Sequence, residues 1–142
     1  MKGRVEKGVG GGVCQSSTTV YRGVLNAGLQ VTERRNHTLD VVYYHEYGYG
    51  LDATVYTDAR SDLRFVNDYP TPLLVNAYLD GDKKEAVIEF YGTADGRKVE
   101  LREKSTTKPL YKEWDWVVTW PDRAEERIIR SQYEPEKELE EL

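Results

Sequence analysis

The stretch 10–28 constrains this chain most. A glycine run, Gly10-Gly11-Gly12, ends where a helical repeat begins. At about 100° per residue, Val13, Val20, Val24 and Ala27 share one side of a helix. Cys14, Tyr21 and Leu25 lie on the adjacent side, and Gln15, Thr19, Arg22 and Asn26 fall on the opposite, wet arc. Gly28 is placed to end the helix as a left-handed cap. The chain's only cysteine, Cys14, therefore sits at a helix start, on its core side.

Strand patterns follow. Residues 29–35, 41–44 and 63–66 read as short strands. Residues 51–57 alternate, with Leu51, Ala53 and Val55 on one face and Asp52, Thr54 and Tyr56 on the other. Residues 73–79 and 85–91 flank a hairpin signal at Asp80-Gly81-Asp82. A second turn, Ala94-Asp95-Gly96, leads into 97–104, and these three segments predict an antiparallel meander with one wet face. Residues 105–115 read as a loop before an aromatic strand at 116–120, and 127–133 as a last short strand. The fold class expected is α+β: one N-terminal helix packed on a mostly antiparallel β-sheet, as a domain over 1–120. Residues 121–142 carry eight acidic and four basic side chains and read as an acidic C-terminal tail.

A length of 142 residues fits one domain. The formal charge of −5 gives no basic face for nucleic acid. No apolar run reaches the roughly 18 residues of a membrane span, and no signal-peptide h-region is visible. A single cysteine excludes an internal disulfide.

The candidate chemistry centres on Cys14, His37 and Asp52. A thiol attacks as thiolate, and a helix N-terminus lowers its pKa through free N–H groups and the dipole. A histidine can take the thiol proton, and a carboxylate can orient the ring. The Cys14 N–H could serve an oxyanion. Cysteine at a helix start followed by histidine and a polar residue is also the order in papain-like and transglutaminase-like folds. The bland reading is a small core thiol, an exposed turn histidine in 34–38, and an aspartate that reaches Cys14 only if the Asp52 face of 51–57 turns toward the helix. Cys14, His37, His45 and Asp52 would also suit zinc, but without a close ligand pair, so neither metal nor cofactor is assigned. Tyr43, Tyr44, Tyr47, Tyr49 and Tyr56 cluster early and Trp114, Trp116 and Trp120 late. Such aromatics suit stacking on sugars or peptides, or burial in a sheet protein. Gln15, Tyr43, Tyr44 and Tyr56 are the candidate binding residues.

Several blocks carry a family likeness: Gly-Gly-Gly-Val-Cys-Gln (10–15), Ser-Thr-Thr-Val-Tyr (17–21), Ala-Gly-Leu (27–29), Glu-Arg-Arg-Asn-His-Thr (33–38), Leu-Asp-Ala-Thr-Val (51–55), Asp-Leu-Arg-Phe-Val-Asn (62–67) and Tyr-Pro-Thr-Pro-Leu (69–73). In these the sequence resembles the VanW-like family, named after an accessory protein of B-type vancomycin resistance clusters. The likeness covers about residues 10–80. It implies a bacterial cell-envelope or extracellular setting, with a cell-wall peptide or glycan as partner. It carries the family's cysteine, histidine and aspartate onto Cys14, His37 and Asp52. Where the family has a prolyl-glycine stretch before its aspartate, this chain has residues 45–50, His-Glu-Tyr-Gly-Tyr-Gly. The family also extends upstream of the glycine run, so the chain is expected to lack upstream family segments. The function expected is a cysteine-centred site acting on or binding peptidoglycan-type peptides, by acyl transfer or amide hydrolysis if catalytic. The alternative is a non-catalytic envelope binding or scaffold module with Cys14 structural.

Overall fold

The computed structural model describes residues 12–57 and 60–135. The predicted helix is α1, Val13–Asn26. It ends as its glycine requires. Gly28 takes a φ of 70°, its N–H bonds Leu25 O, and the Leu29 N–H bonds Val24 O. Those two bonds satisfy carbonyls that the helix end leaves free. The buried face differs from the apolar wheel. Ser17, Thr18, Tyr21, Val24 and Leu25 are buried, while Val13 is exposed. Ser17 and Thr18 tolerate burial because both hydroxyls donate to Ala53 O.

Seven strands follow in chain order. They are β1 (Gln30–Glu33), β2 (Arg64–Val66), β3 (Leu74–Asp80), β4 (Glu85–Tyr91), β5 (Lys98–Lys104), β6 (Tyr111–Thr119) and β7 (Ala124–Gln132). The architecture is α+β, with every strand pair antiparallel. The strands do not form one sheet. β1 pairs β2, β3 pairs β4, and β5-β6-β7 make a three-stranded meander. The hairpin at Asp80 forms as predicted, with Asp80 Oδ1 accepting the N–H groups of Asp82 and Lys83. The predicted meander through 73–104 does not form, because β5 takes β6 as its partner rather than β4. β6 begins at Tyr111, inside the stretch read as a loop, since it pairs with β7 along its full length and with β5 from Glu113 to Thr119. Of the stretch read as an acidic tail, Ala124–Gln132 is β7, and residues 136–142 lie outside the described residues.

Two predicted strands are absent. Val42–Tyr44 is a 3-10 turn, and residues 51–57 are extended with a single bridge, Tyr56 to Ser61. Leu51, Asp52 and Ala53 are all buried, so the alternation there does not separate a wet face from a dry one.

The core joins α1 to the three-stranded sheet through Tyr21, Leu25, Leu51, Ala53, Trp116, Val118 and Trp120. Trp116 Nε1 donates to Leu25 O, tying the sheet to the last turn of the helix. On β4, Ile88 and Phe90 approach Gly23 so closely that a Cβ there would lie 2.6 Å from Ile88 Cγ2. Arg97 clamps the far end. Its guanidinium, almost fully buried, bonds Asp95, Asp68 and Gly28 O, with its Cζ 3.5 Å from the Tyr69 ring centroid. That pairing holds the Asp95 carboxyl down at about 2.

Two stability outcomes follow from these contacts. Gly28→Ala forces a side chain into a left-handed φ, with its Cβ 2.9 Å from Val99 Cγ2. Urea unfolding should show a loss of about 2 kcal/mol. Arg97→Ala strips part-buried Asp95 of its guanidinium partner and Gly28 O of its side-chain donor and should cost about 2 kcal/mol in the same assay. Wild-type midpoints for both would refute this account of the helix end.

Candidate functional site

Cys14 is the second residue of α1. The residue before the helix, Gly12, has a φ of 83°, and among the described residues no side-chain cap serves the helix start. The intrahelical ladder begins with Ser16 N–H to Gly12 O. The N–H groups of Val13, Cys14 and Gln15 precede it and point out of the helix end. They place the positive end of the helix dipole at the thiol. The Cys14 sulfur lies 3.3 Å from Thr54 Oγ1 and 3.6 Å from Val55 O. The extended 51–57 segment thus forms one wall of the site.

His37 comes from the loop after β1. Its backbone N–H donates to Asp52 Oδ2 at 2.7 Å, and its ring Nδ1 is 2.6 Å from the same oxygen. Asp52 is a carboxylate and accepts, so Nδ1 carries the proton and Nε2 is the nitrogen left for the thiol. The His37 ring is also packed against the Tyr44 ring, with centroids 5.2 Å apart. Asp52 is 2% exposed. Its Oδ1 accepts from the Tyr133 hydroxyl and lies 3.7 Å from the Arg34 guanidinium.

The three groups shift one another toward their charged forms. Burial raises the Cys14 pKa, but hydrogen bonding with Thr54, the Val55 backbone and His37, with the His37 charge, brings it below the ordinary thiol value. Burial lowers the His37 pKa, and the bond to Asp52 and the interaction with the Cys14 thiol more than reverse this, leaving it raised. Burial raises the Asp52 pKa, and the bonds from the His37 ring and backbone and from Tyr133, with the charge of Arg34, leave it lowered. Both shifts run in the direction that brings the thiolate and imidazolium forms closer together in pH.

His37 and Asp52 are in direct contact, and Cys14 lies against Thr54, two residues along the same 51–57 segment, whose Asp52 and Thr54 side chains face these groups. The binding candidates divide. Tyr44 is buried beside His37, and Gln15, Tyr43 and Tyr56 are exposed around the helix start. Tyr56 lines a groove of about 400 Å³ with Val13, Val55, Arg60 and Arg64. His45 does not join Cys14. It bonds Asp40 at 2.6 Å and stacks on Tyr49. The tryptophans are structural: the Nε1 groups of Trp114, Trp116 and Trp120 donate to Tyr49 O, Leu25 O and Asp95. The sequence reading missed Tyr133, Arg34 and Thr54. Arg34 and Thr54 lie in quoted blocks beside His37 and Asp52. Tyr133 carries no local signal, because it meets Asp52 across 81 positions.

Among known proteins, the described family "VanW like protein" matches residues 1–91. The uncharacterized protein YoaR of Bacillus subtilis strain 168 is 44% identical over 77 residues, which is 54% of this chain and 24% of that protein. The chain thus spans about a quarter of that relative's length. No solved structure matches. With the family match covering well over half of its residues, including Cys14, His37 and Asp52, the chain belongs to the VanW-like family.

Proposed function

We propose that this VanW-like chain is a bacterial cell-envelope protein whose cysteine-centred site acts on peptidoglycan-type peptides by acyl transfer or amide hydrolysis. One observation carries the reading. A cysteine at a helix N-terminus lies against the 51–57 segment, whose buried Asp52 carboxylate holds the His37 ring at Nδ1. A merely structural cysteine needs no oriented imidazole beside it.

The roles follow from the geometry. Cys14, as thiolate, attacks the carbonyl carbon of an amide, and the carbonyl π pair moves onto oxygen. The Cys14 N–H, free at the helix start, stabilises that oxyanion. The His37 imidazolium gives its proton to the departing amine as the C–N bond breaks, leaving a thioester on Sγ. Neutral His37 then takes a proton from water or an acceptor amine, which attacks the thioester and releases the thiolate. Asp52 stays ionised throughout and holds the Nδ1–H. The groove beside Val13 and Tyr56 supports a seat for an extended peptide, with Arg60 able to meet a carboxylate. Gln15, Tyr43 and Tyr44 are the further candidate binding residues.

Iodoacetamide labelling tests the activation. The lowered thiol pKa predicts Cys14 alkylation well below pH about 8, where an ordinary thiol is mostly protonated. His37→Ala should remove that early reactivity and move labelling up to the ordinary thiol range. Labelling of the wild-type chain only above pH about 8.5, or only after unfolding, supports the structural role instead.

The reaction is tested with peptidoglycan stem peptides. Incubation should give a thioester-linked acyl adduct on Cys14, visible by intact mass and lost in Cys14→Ala. His37→Ala should slow adduct formation by about 100-fold or more. No adduct and no peptide turnover across a panel of stem peptides would defeat the catalytic reading.

A further inference from the structure

The Asp52 carboxylate has two oxygens, and they are served differently. Oδ2 takes both the backbone N–H and the ring Nδ1 of His37. Oδ1 faces the other way. Among the described residues, its hydrogen-bond donor is the Tyr133 hydroxyl. Arg34 lies nearby at 3.7 Å, too far for a hydrogen bond. The Arg34 donors are spent elsewhere, on Asp52 O, Gly50 O, Arg130 O and the Ser131 hydroxyl.

Tyr133 is itself held. It is 4% exposed, its N–H bonds Leu110 O at 2.8 Å, and its ring stacks on Tyr49. It follows the end of β7, where Ser131 and Tyr133 alternate inward. Ser131 is fully buried and donates to Gly50 O. Burial, then the bond to Asp52, raises the phenol pKa, so the hydroxyl keeps its proton and donates.

We infer that Tyr133 is a positioning residue of the Cys14–His37–Asp52 site: its hydroxyl fixes the Asp52 carboxylate so that Oδ2 faces the His37 ring. The residue lies beyond the 1–91 stretch that the family match covers, just past the end of a strand of the three-stranded sheet. Without it, Oδ1 would be a buried oxygen with no donor, and the carboxylate could turn Oδ1 toward the imidazole or the guanidinium. In its effect on reactivity this rests on the nucleophile reading of Cys14; in its effect on His37 it does not.

The test compares wild type with Tyr133→Phe, which keeps the ring and removes one hydroxyl. The pH midpoint of the His37 ring, followed by NMR, should fall by roughly one unit in the variant, the size of a lost hydrogen bond to a charged group. Cys14 alkylation at pH about 6.5 should slow by about 10-fold in parallel. A purely structural tyrosine would lower the melting temperature and leave the His37 midpoint where it was, and that result overturns the inference. An ordinary wild-type thiol with a shifted His37 midpoint would sink the nucleophile reading and leave the positioning role standing. The wild-type chain gives a second reading that needs no variant. The Tyr133 hydroxyl proton should exchange slowly with water, and a freely exchanging one overturns the inference.

Discussion

The structure depends on keeping one buried carboxylate ionised. An unpaired anion at the depth of Asp52 would cost several kcal/mol and would neutralise itself by taking a proton. Here it does not, because hydrogen-bond donors and a counter-charge arrive from separate parts of the chain. The loop after β1 brings His37 and Arg34, and the end of β7 brings Tyr133. Each donor is useful only if its segment is in place. The charge of Asp52 therefore ties the loop after β1, the 51–57 segment and the last strand together. The same charge fixes the His37 tautomer, and through it the state of the thiol.

A second constraint explains why the 44–53 segment is not a strand. Its carbonyls are taken by side chains rather than by a neighbouring backbone. Arg22 bonds the carbonyls of Tyr44, Gly48 and Leu51, and Arg34 bonds those of Gly50 and Asp52. Ser17 and Thr18 take Ala53 O, and the Ala53 N–H returns to Thr18 Oγ1. Three of these four side chains belong to α1. The helix thus acts toward 44–53 as a strand partner would, and it sets the height at which Thr54 meets Cys14. Buried backbone polar groups must be paired, but pairing does not demand a ladder.

That explains which parts were legible in the sequence. The helix was, because a 3.6-residue repeat and a glycine at its end are local signals, and the Gly28 cap forms as read. The hairpin at Asp80 was, because its turn chemistry is local. The segment 51–57 misled because period-2 alternation records two different environments on two faces, not a ladder. Here one environment is the helix and the other is the Asp52 cluster. Arg22 was assigned to the wet arc of α1, and its reach along a long stem to three carbonyls could not be seen from the wheel. The order cysteine, histidine, aspartate was legible as a list of types. The question of which face of 51–57 turns inward needed coordinates. Tyr133 was invisible for a stronger reason, since nothing near it in the chain resembles a site.

The sheet after residue 91 is therefore more than a decoration on the family-matched part. The matched residues include Cys14, Arg34, His37 and Asp52, yet α1 closes its core against Trp116, Val118 and Trp120, all beyond that stretch. Burying one such indole against the helix contributes about 3 kcal/mol. Removing the sheet would expose Tyr21 and Leu25 and strip Oδ1 of Asp52 of its donor in the same step. A thiolate–imidazolium pair needs its atoms held to within fractions of an ångström, and loops alone do not provide that. The proposed reacting groups sit on a helix start and two irregular segments. The rigidity that orients them comes from β6 and β7, so the unit that could carry out chemistry extends at least to Tyr133.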